Sequence, residues 1–169
     1  MLTNPKIEFR NEQPFVAIFI DVAMKDIPSV LPPMIPEVIE WLTKNNIAPD
    51  RIMFFHYLSM TDNAKLHVAV GMTTQTLITG DERFQSGILP AGNYAMISNF
   101  GDYSNLYDAH YTLEKWLQKK SLDDTKSRSD STIEWFGRTE FYISDPATEP
   151  NPEKWQTDVA FLIQTTDNQ

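Results

Sequence analysis

The sequence predicts an α+β fold in which two β-α-β-β modules are related by a pseudo-twofold axis. Apolar runs of strand length and one amphipathic helix follow the same order in each half of the chain. The two predicted helices also end in similar short sequences, EWLTK at residues 40–44 and KWLQK at residues 115–119. We therefore expect a single domain with antiparallel sheets, helices on one face, and a groove between the halves.

The first module opens with an apolar run at residues 14–21, rich in β-branched and aromatic residues, which is typical of a buried strand. A helix follows at residues 34–46, where apolar side chains fall at helical spacing. Pro36 suits its first turn, because an N–H there would have no partner within the helix. Residues 52–58 and 66–73 flank a turn-rich segment and predict a hairpin.

The second module repeats this order of elements. A strand is predicted at residues 94–98, and the clearest helix of the chain follows, with Asp102 or Ser104 as its cap. The apolar stripe of this helix comprises Leu106, Ala109, His110, Leu113, Trp116 and Leu117. Two strands, at residues 139–143 and 157–164, complete the module.

Two polar segments interrupt the modules. Residues 75–92 hold three glycines, as a crossover loop does. Residues 119–131 have a low apolar content, which predicts a mobile insertion. We predict one domain that spans residues 1–169. Within it the first module covers residues 6–74, the crossover residues 75–92 and the second module residues 93–165.

The charge of the chain argues against direct nucleic-acid binding. Lys and Arg number 14 against 23 Asp and Glu, which gives a formal net charge of −9. The chain lacks the clustered Lys and Arg residues that displace counterions from phosphates. The acidic balance suits a cationic partner instead. With no secretion signal and no run of 18 apolar residues, we expect a cytoplasmic protein that does not enter a membrane.

Motifs for metal, cofactor or nucleophilic chemistry are absent from the sequence. It has no cysteine and no HExxH pattern, and His56 and His67 do not have the spacing of metal ligands. It also lacks the GxSxG, GxxxxGK[ST] and GxGxxG patterns. We therefore expect no metal and no cofactor, and the sequence assures no catalytic residue.

The strand at residues 139–143 supplies the principal candidate for a binding site. Side chains alternate between faces along a strand, so Glu140 and Tyr142 point one way while Phe141 and Ile143 point the other. We expect Phe141 and Ile143 to pack on the helices and the other two side chains to lie on the opposite face. When the corresponding strand of the first half is aligned with this one, Phe55 and Tyr57 are the matching positions. The four side chains predict an aromatic groove with one carboxylate.

Several of these residues have an alternative interpretation. Glu140 could instead be a solvated strand residue paired with Arg138, two positions away on the same face. Trp155 could close the groove or pack in the core, and the same alternatives hold for Tyr94. His110 lies within an apolar helix stripe, which favours a packed or hydrogen-bonded core histidine over a catalyst or ligand.

Three stretches of the second half resemble the GyrI-like small-molecule-binding domains, which also form the effector-binding halves of AraC- and MerR-type regulators. They are LPAGNYAMISNFGDYSNLYDAHYTLEKWL at residues 89–117, TEFYISDP at residues 139–146 and WQTDVAFLI at residues 155–163. The resemblance implies a fold of two β-α-β-β modules and points to Glu140 as the site residue. Because no DNA-binding helices precede the first strand, we expect a stand-alone form of the domain.

Three functions are compatible with these features. The favoured one is a sensor or sequestering protein that binds a small, largely apolar organic ligand, with Glu140 as the buried counter-charge of a cation. The second is a hydrolase with Glu140 as general base, because some members of the resembled family open strained rings. The third is an acidic protein that inhibits a DNA enzyme, with a protein partner.

Overall fold

A computed structural model describes residues 1–48 and 52–164 of the chain. The last predicted position of the second module, residue 165, lies outside the described residues. Within them the chain forms nine strands and three α-helices. In chain order these are β1 (Lys6–Arg10), β2 (Gln13–Ala23), α1 (Ile27–Val30), α2 (Met34–Lys44), β3 (Met53–Thr61), β4 (Lys65–Thr73), β5 (Gln85–Leu89), β6 (Gly92–Phe100), α3 (Leu106–Lys119), β7 (Lys126–Arg128), β8 (Thr132–Tyr142) and β9 (Gln156–Leu162).

The strands form one curled antiparallel sheet, in the order β1-β6-β9-β8-β3-β4-β2-β5, with β7 paired to β8. Strands β3 and β8 lie at the centre, where Phe55 is opposite Glu140. Outward from this pair, the two halves have matching strand orders, β3-β4-β2-β5 and β8-β9-β6-β1. The α+β class and the pseudo-twofold arrangement predicted from the sequence are therefore confirmed.

The two outermost strands are exchanged between the halves. Strand β1 precedes β2 in the chain but pairs with β6, and β5 precedes β6 but pairs with β2. Strand β5 lies within residues 75–92, which were predicted to be a crossover loop only. Both edge strands are five residues long and carry several polar side chains, so neither shows the apolar run that identifies a buried strand.

The helices cover one face of the sheet, called the helix face below. Helix α2 buries Met34, Val38 and Leu42 toward the first half, and α3 buries Leu106, Ala109, Leu113 and Leu117 toward the second. Burying such side chains stabilises the fold by roughly 1.5–3 kcal/mol each. The Asp102 carboxylate accepts a hydrogen bond from the Ser104 backbone N–H at 2.8 Å, so Asp102 caps the 3₁₀ turn that leads into α3. The N-cap residue of α3 itself is Asn105, whose side chain makes no capping hydrogen bond.

The other face of the sheet, called the second face, has an apolar cluster of its own. Phe54 and Phe141, from the two central strands, lie there with their ring centroids 5.9 Å apart. Phe141 thus packs away from the helices, and Ile143 is 44% exposed. The prediction that Phe141 packs on the helices is wrong, whereas Ile143 lies partly exposed at the edge of the space between the sheet and the helices. Both faces are buried, so the apolar character of a residue does not identify its face.

Residues 119–131 contain more structure than their composition predicted. Strand β7 pairs with β8, which begins at Thr132 and is longer than the predicted strand. Asp124 is buried and forms ion pairs with Lys126 at 2.8 Å and Arg138 at 3.1 Å. Backbone hydrogen bonds and charged pairs attach most of this segment to the sheet, and Leu122 is its one apolar residue packed on the core, which explains why hydrophobic patterning missed it.

His56 makes folding sensitive to acid. It lies on the second face beside Phe15, is 6% exposed, and neither ring nitrogen has a hydrogen-bond partner. Burial lowers the pKa of His56 from 6.5 to about 4. Between pH 6.5 and 4, His56 is mostly protonated in the unfolded chain but mostly neutral in the folded protein. We therefore expect stability to fall between pH 6.5 and 4, by up to about 3 kcal/mol from this residue.

Urea unfolding at pH 7, 5.5 and 4 measures this loss. Other groups also titrate over this range, so the test compares variants. His56→Leu should reduce the fall in stability, whereas His67→Gln, at an exposed histidine, should leave it as in the wild type. Equal pH dependence in all three proteins would contradict the assignment to His56.

Candidate functional site

A cavity of about 1450 Å³ opens on the helix face. Its walls come from both halves of the sheet and from the helices above them. Much of the wall is aromatic, including Phe55, Tyr57, Tyr103, Tyr107, Trp135 and Tyr142. Tyr142 packs against the apolar clusters of both halves, so it lies where the halves meet. The cavity can therefore enclose a molecule with several rings.

Glu140 is one of two buried acids on the wall of this cavity, and unlike Asp124 it is not paired with Lys or Arg among the residues that the structure describes. Its side chain lines the wall, and the residue is 5% exposed. The Tyr57 hydroxyl donates to its Oε1 at 2.7 Å, and the Tyr142 hydroxyl donates to its Oε2 at 2.6 Å. His110 Nε2 lies 2.7 Å from Oε1. Because an ionised carboxylate only accepts hydrogen bonds, this nitrogen carries a proton and donates it.

These donors keep the carboxylate ionised. Burial acts to raise the pKa of Glu140, but the hydrogen bond and charge of His110 and the donations from Tyr142 and Tyr57 outweigh it, so the pKa is lowered. Burial, and then the charge of Glu140, raise the pKa values of both tyrosines well above 10. At neutral pH the Glu140 carboxylate is therefore held by two neutral phenols and a histidine.

Four predicted site residues come together around this cavity: Phe55, Tyr57, Glu140 and Tyr142. Strand alternation grouped them correctly, but they lie on the helix face rather than opposite it. His110, predicted to be a packed or hydrogen-bonded core histidine, forms a hydrogen bond with Glu140, and it also lines the cavity, where the sequence assigned it no role. The sequence feature that could have indicated a role in the cavity is the position of His110 as a polar residue within the apolar stripe of α3.

The structure does not bring the other two predicted residues to the cavity. Tyr94 is buried on the second face beside Met96, and its hydroxyl donates to the Pro90 carbonyl at 2.7 Å. Trp155 stacks on Tyr103 with ring centroids 4.8 Å apart, and its Nε1 donates to the Glu149 carbonyl. Trp155 thus supports Tyr103, which itself lines the wall.

Arg138 does not pair with Glu140. Its Nη1 donates to Glu114 at 2.9 Å and its Nη2 donates to Asp124 at 3.1 Å. Its guanidinium carbon lies 4.4 Å from the ring centroid of Trp135 and 4.0 Å from that of Phe161. The interpretation of Glu140 as a solvated partner of Arg138 is therefore wrong.

The sequence pattern of the GyrI-like small molecule binding domain matches residues 3–164. The chain belongs to this family. The resemblance seen in the second half is thus confirmed over nearly the whole chain, and the protein is a small-molecule-binding domain. No curated protein matches the sequence.

Solved structures share the fold of this GyrI-like chain. The EcmrR C-terminal domain matches with a TM-score of 0.68 at 14% identity, covering 96% of this chain and 98% of that domain. In the EcmrR–DNA complex the TM-score is 0.72 at 13% identity, and this chain, 96% covered, spans 58% of the EcmrR chain.

Two further solved structures that match carry a ligand or an activity in their descriptions. SAV2435 bound to tetraphenylphosphonium matches with a TM-score of 0.61 at 7% identity, over 96% of this chain and 94% of that one. A hydrolase from Listeria innocua matches with a TM-score of 0.54 at 13% identity, over 95% and 91%. At such identities the likeness establishes the fold alone.

In residues 1–48 and 52–164, no helix combines the length and apolarity that a membrane crossing requires.

Proposed function

We propose that this GyrI-like protein binds a lipophilic organic cation in the cavity of the helix face, with Glu140 as its counter-charge. The observation that carries the proposal is a 5%-exposed carboxylate on an aromatic cavity wall. Its partners are two phenols and a histidine, and among the described residues no Lys or Arg nitrogen lies within 4.0 Å of it. His110 is the neighbour that can carry a positive charge, and in its neutral form it donates its hydrogen bond while leaving the negative charge of Glu140 available to a ligand.

Aromatic walls and a buried acid favour the same kind of ligand. The faces of Phe, Tyr and Trp attract cations, with contributions of roughly 0.5–2 kcal/mol each. A lipophilic cation spreads its charge over an apolar surface, so it loses less hydration on entry than a compact ammonium ion does. The cavity, at about 1450 Å³, exceeds the size of most small-molecule sites and suits a bulky, ring-bearing ion.

One structural neighbour supports this ligand class. SAV2435 was solved with tetraphenylphosphonium, a cation that bears four phenyl rings. The neighbour shares the fold of this chain, and its ligand combines the two properties that the cavity wall favours. Tetraphenylphosphonium is therefore the probe of choice here.

Titration calorimetry with two ions of the same shape tests the proposal. Tetraphenylphosphonium and tetraphenylborate have nearly equal size and apolar surface but opposite charge. We expect the cation to bind at least about 100-fold more tightly than the anion at one ionic strength, because the anion would face Glu140. Equal affinities, or tighter binding of the anion, would refute a cation site.

Hydrolysis is a second candidate, since one structural neighbour is described as a hydrolase. A general base works best when its pKa lies near the working pH. The hydrogen bonds to Glu140 lower its pKa instead, which makes the carboxylate a weak base. This property favours binding over hydrolysis.

Inhibition of a DNA enzyme has the net charge of −9 as its support.

A further inference from the structure

Helix α3 and strand β8 are joined by two polar contacts that lie side by side. His110 binds Glu140, and four residues later Glu114 binds Arg138. Four helical residues rise about 6 Å, and two strand residues span about 6.6 Å. The two spacings match, so both contacts form on the same faces of the two elements.

Arg138 is the nearest fixed cation to Glu140 along β8. Both side chains line the cavity, and the two positions share one face of the strand because they are two residues apart. A free arginine at this position is long enough to reach the carboxylate. Such a contact would neutralise the charge that a cationic ligand needs.

Several contacts hold the Arg138 side chain in another direction. It is 13% exposed, and two carboxylates bind its two terminal nitrogens. The rings of Trp135 and Phe161 lie against the guanidinium. Asp124, itself 8% exposed, is fixed in turn by Lys126. Both terminal nitrogens of the arginine are thus engaged away from Glu140, while its buried Nε has no hydrogen-bond partner among the described residues.

We propose that Glu114 and Asp124 are positioning residues that hold Arg138 away from Glu140 and thereby set the charge selectivity of the cavity. The inference rests on the proposed cation-binding function. When either acid is removed, Arg138 turns toward Glu140 and competes with the cationic ligand. The cavity then loses its preference for cations over anions.

A double-mutant cycle tests this restraint. Glu114→Gln removes one acid whose side chain is 43% exposed, so the fold should tolerate it. We expect tetraphenylphosphonium to bind about 10-fold more weakly to this variant. In an Arg138→Met background, where a similar apolar volume fills the space beside Trp135, the same change should alter affinity less than about 2-fold.

The cycle separates restraint from a general loss of negative charge. Equal weakening by Glu114→Gln in both backgrounds would overturn the proposal, because a simple field effect does not depend on Arg138. Asp108→Asn is the control for the loss of one charge, since Asp108 is exposed on the same helix, lies outside the cavity wall and does not contact Arg138. It should leave affinity within about 2-fold of the wild type. If Arg138→Met does not fold, Arg138→Gln supplies the background.

Asp124→Asn provides a second release of the arginine. It and Glu114→Gln should both raise the affinity for tetraphenylborate several-fold, because a freed guanidinium attracts the anion. Anion affinity unchanged in both variants would contradict the proposal. Glu140→Gln distinguishes the two levels of argument. If it leaves tetraphenylphosphonium binding intact, the proposed function fails; if it weakens binding while the cycle is additive, only the restraint fails.

Discussion

Glu140→Gln is expected to weaken tetraphenylphosphonium binding at least about 30-fold, which corresponds to about 2 kcal/mol. The amide keeps the size of the carboxylate but carries no charge. Its NH₂ group also has to replace one acceptor among three donors, from Tyr57, His110 and Tyr142. Titration calorimetry of the variant and the wild type in the same buffer measures the difference.

Glu82→Gln is the matched control for this change. Glu82 is exposed and lies outside the cavity wall, so the same loss of one charge should change affinity less than about 3-fold. Thermal unfolding shows whether each variant is folded. A folded Glu140→Gln protein that binds the cation as the wild type does would remove the role of counter-charge from this residue.

Phe54→Ala should cost about 3–5 kcal/mol of folding free energy. Phe54 is fully buried on the second face, on central strand β3. Its ring lies 5.2 Å from that of Phe15 in an edge-to-face arrangement and 5.9 Å from that of Phe141. Truncation leaves a cavity that strands on both sides cannot fill, because the sheet fixes their spacing. Urea unfolding at pH 7 measures the loss.

Phe136→Ala controls for the removal of a phenyl ring as such. Phe136 lies on the other central strand, β8, but is 48% exposed, so its truncation should change stability by less than about 1 kcal/mol. Similar losses for the two variants would show that the second face is not a packed core. Since Phe54 points away from the cavity, the folded fraction of Phe54→Ala should bind ligand as the wild type does.

The contents of the site were more predictable than its location. The two-residue period of a strand depends on backbone geometry alone, so it grouped Glu140 with Tyr142 whatever lay above the sheet. Which face the pair occupies depends on packing across both faces. Phe141 is as apolar as a helix-facing residue would be, yet it contacts Phe54 on the second face. Hydrophobicity does not distinguish two buried faces.

The features that the sequence missed depend on distant partners. Strands β1 and β5 are short and partly polar, and each is completed by a strand from the other half. The contact between His110 and Glu140 joins residues 30 positions apart. The engagement of Arg138 by Glu114 and Asp124 likewise requires α3 and the segment before β7 to meet over β8. A pattern of neighbouring residues in the sequence does not specify such long-range contacts.

The exchange of edge strands also limits how the cavity can change shape to accommodate ligands of different size. Opening the two halves like a hinge would break the hydrogen bonds between β3 and β8. Because β1 stays with β6 and β5 stays with β2, it would also strain the two-residue connections that join β1 to β2 and β5 to β6 across the halves. Rigid-body gaping is therefore costly. Adjustment to a guest falls to the helices and to the rotamers of rim side chains such as Tyr107 and Tyr111, which leaves the floor that holds Glu140 unchanged.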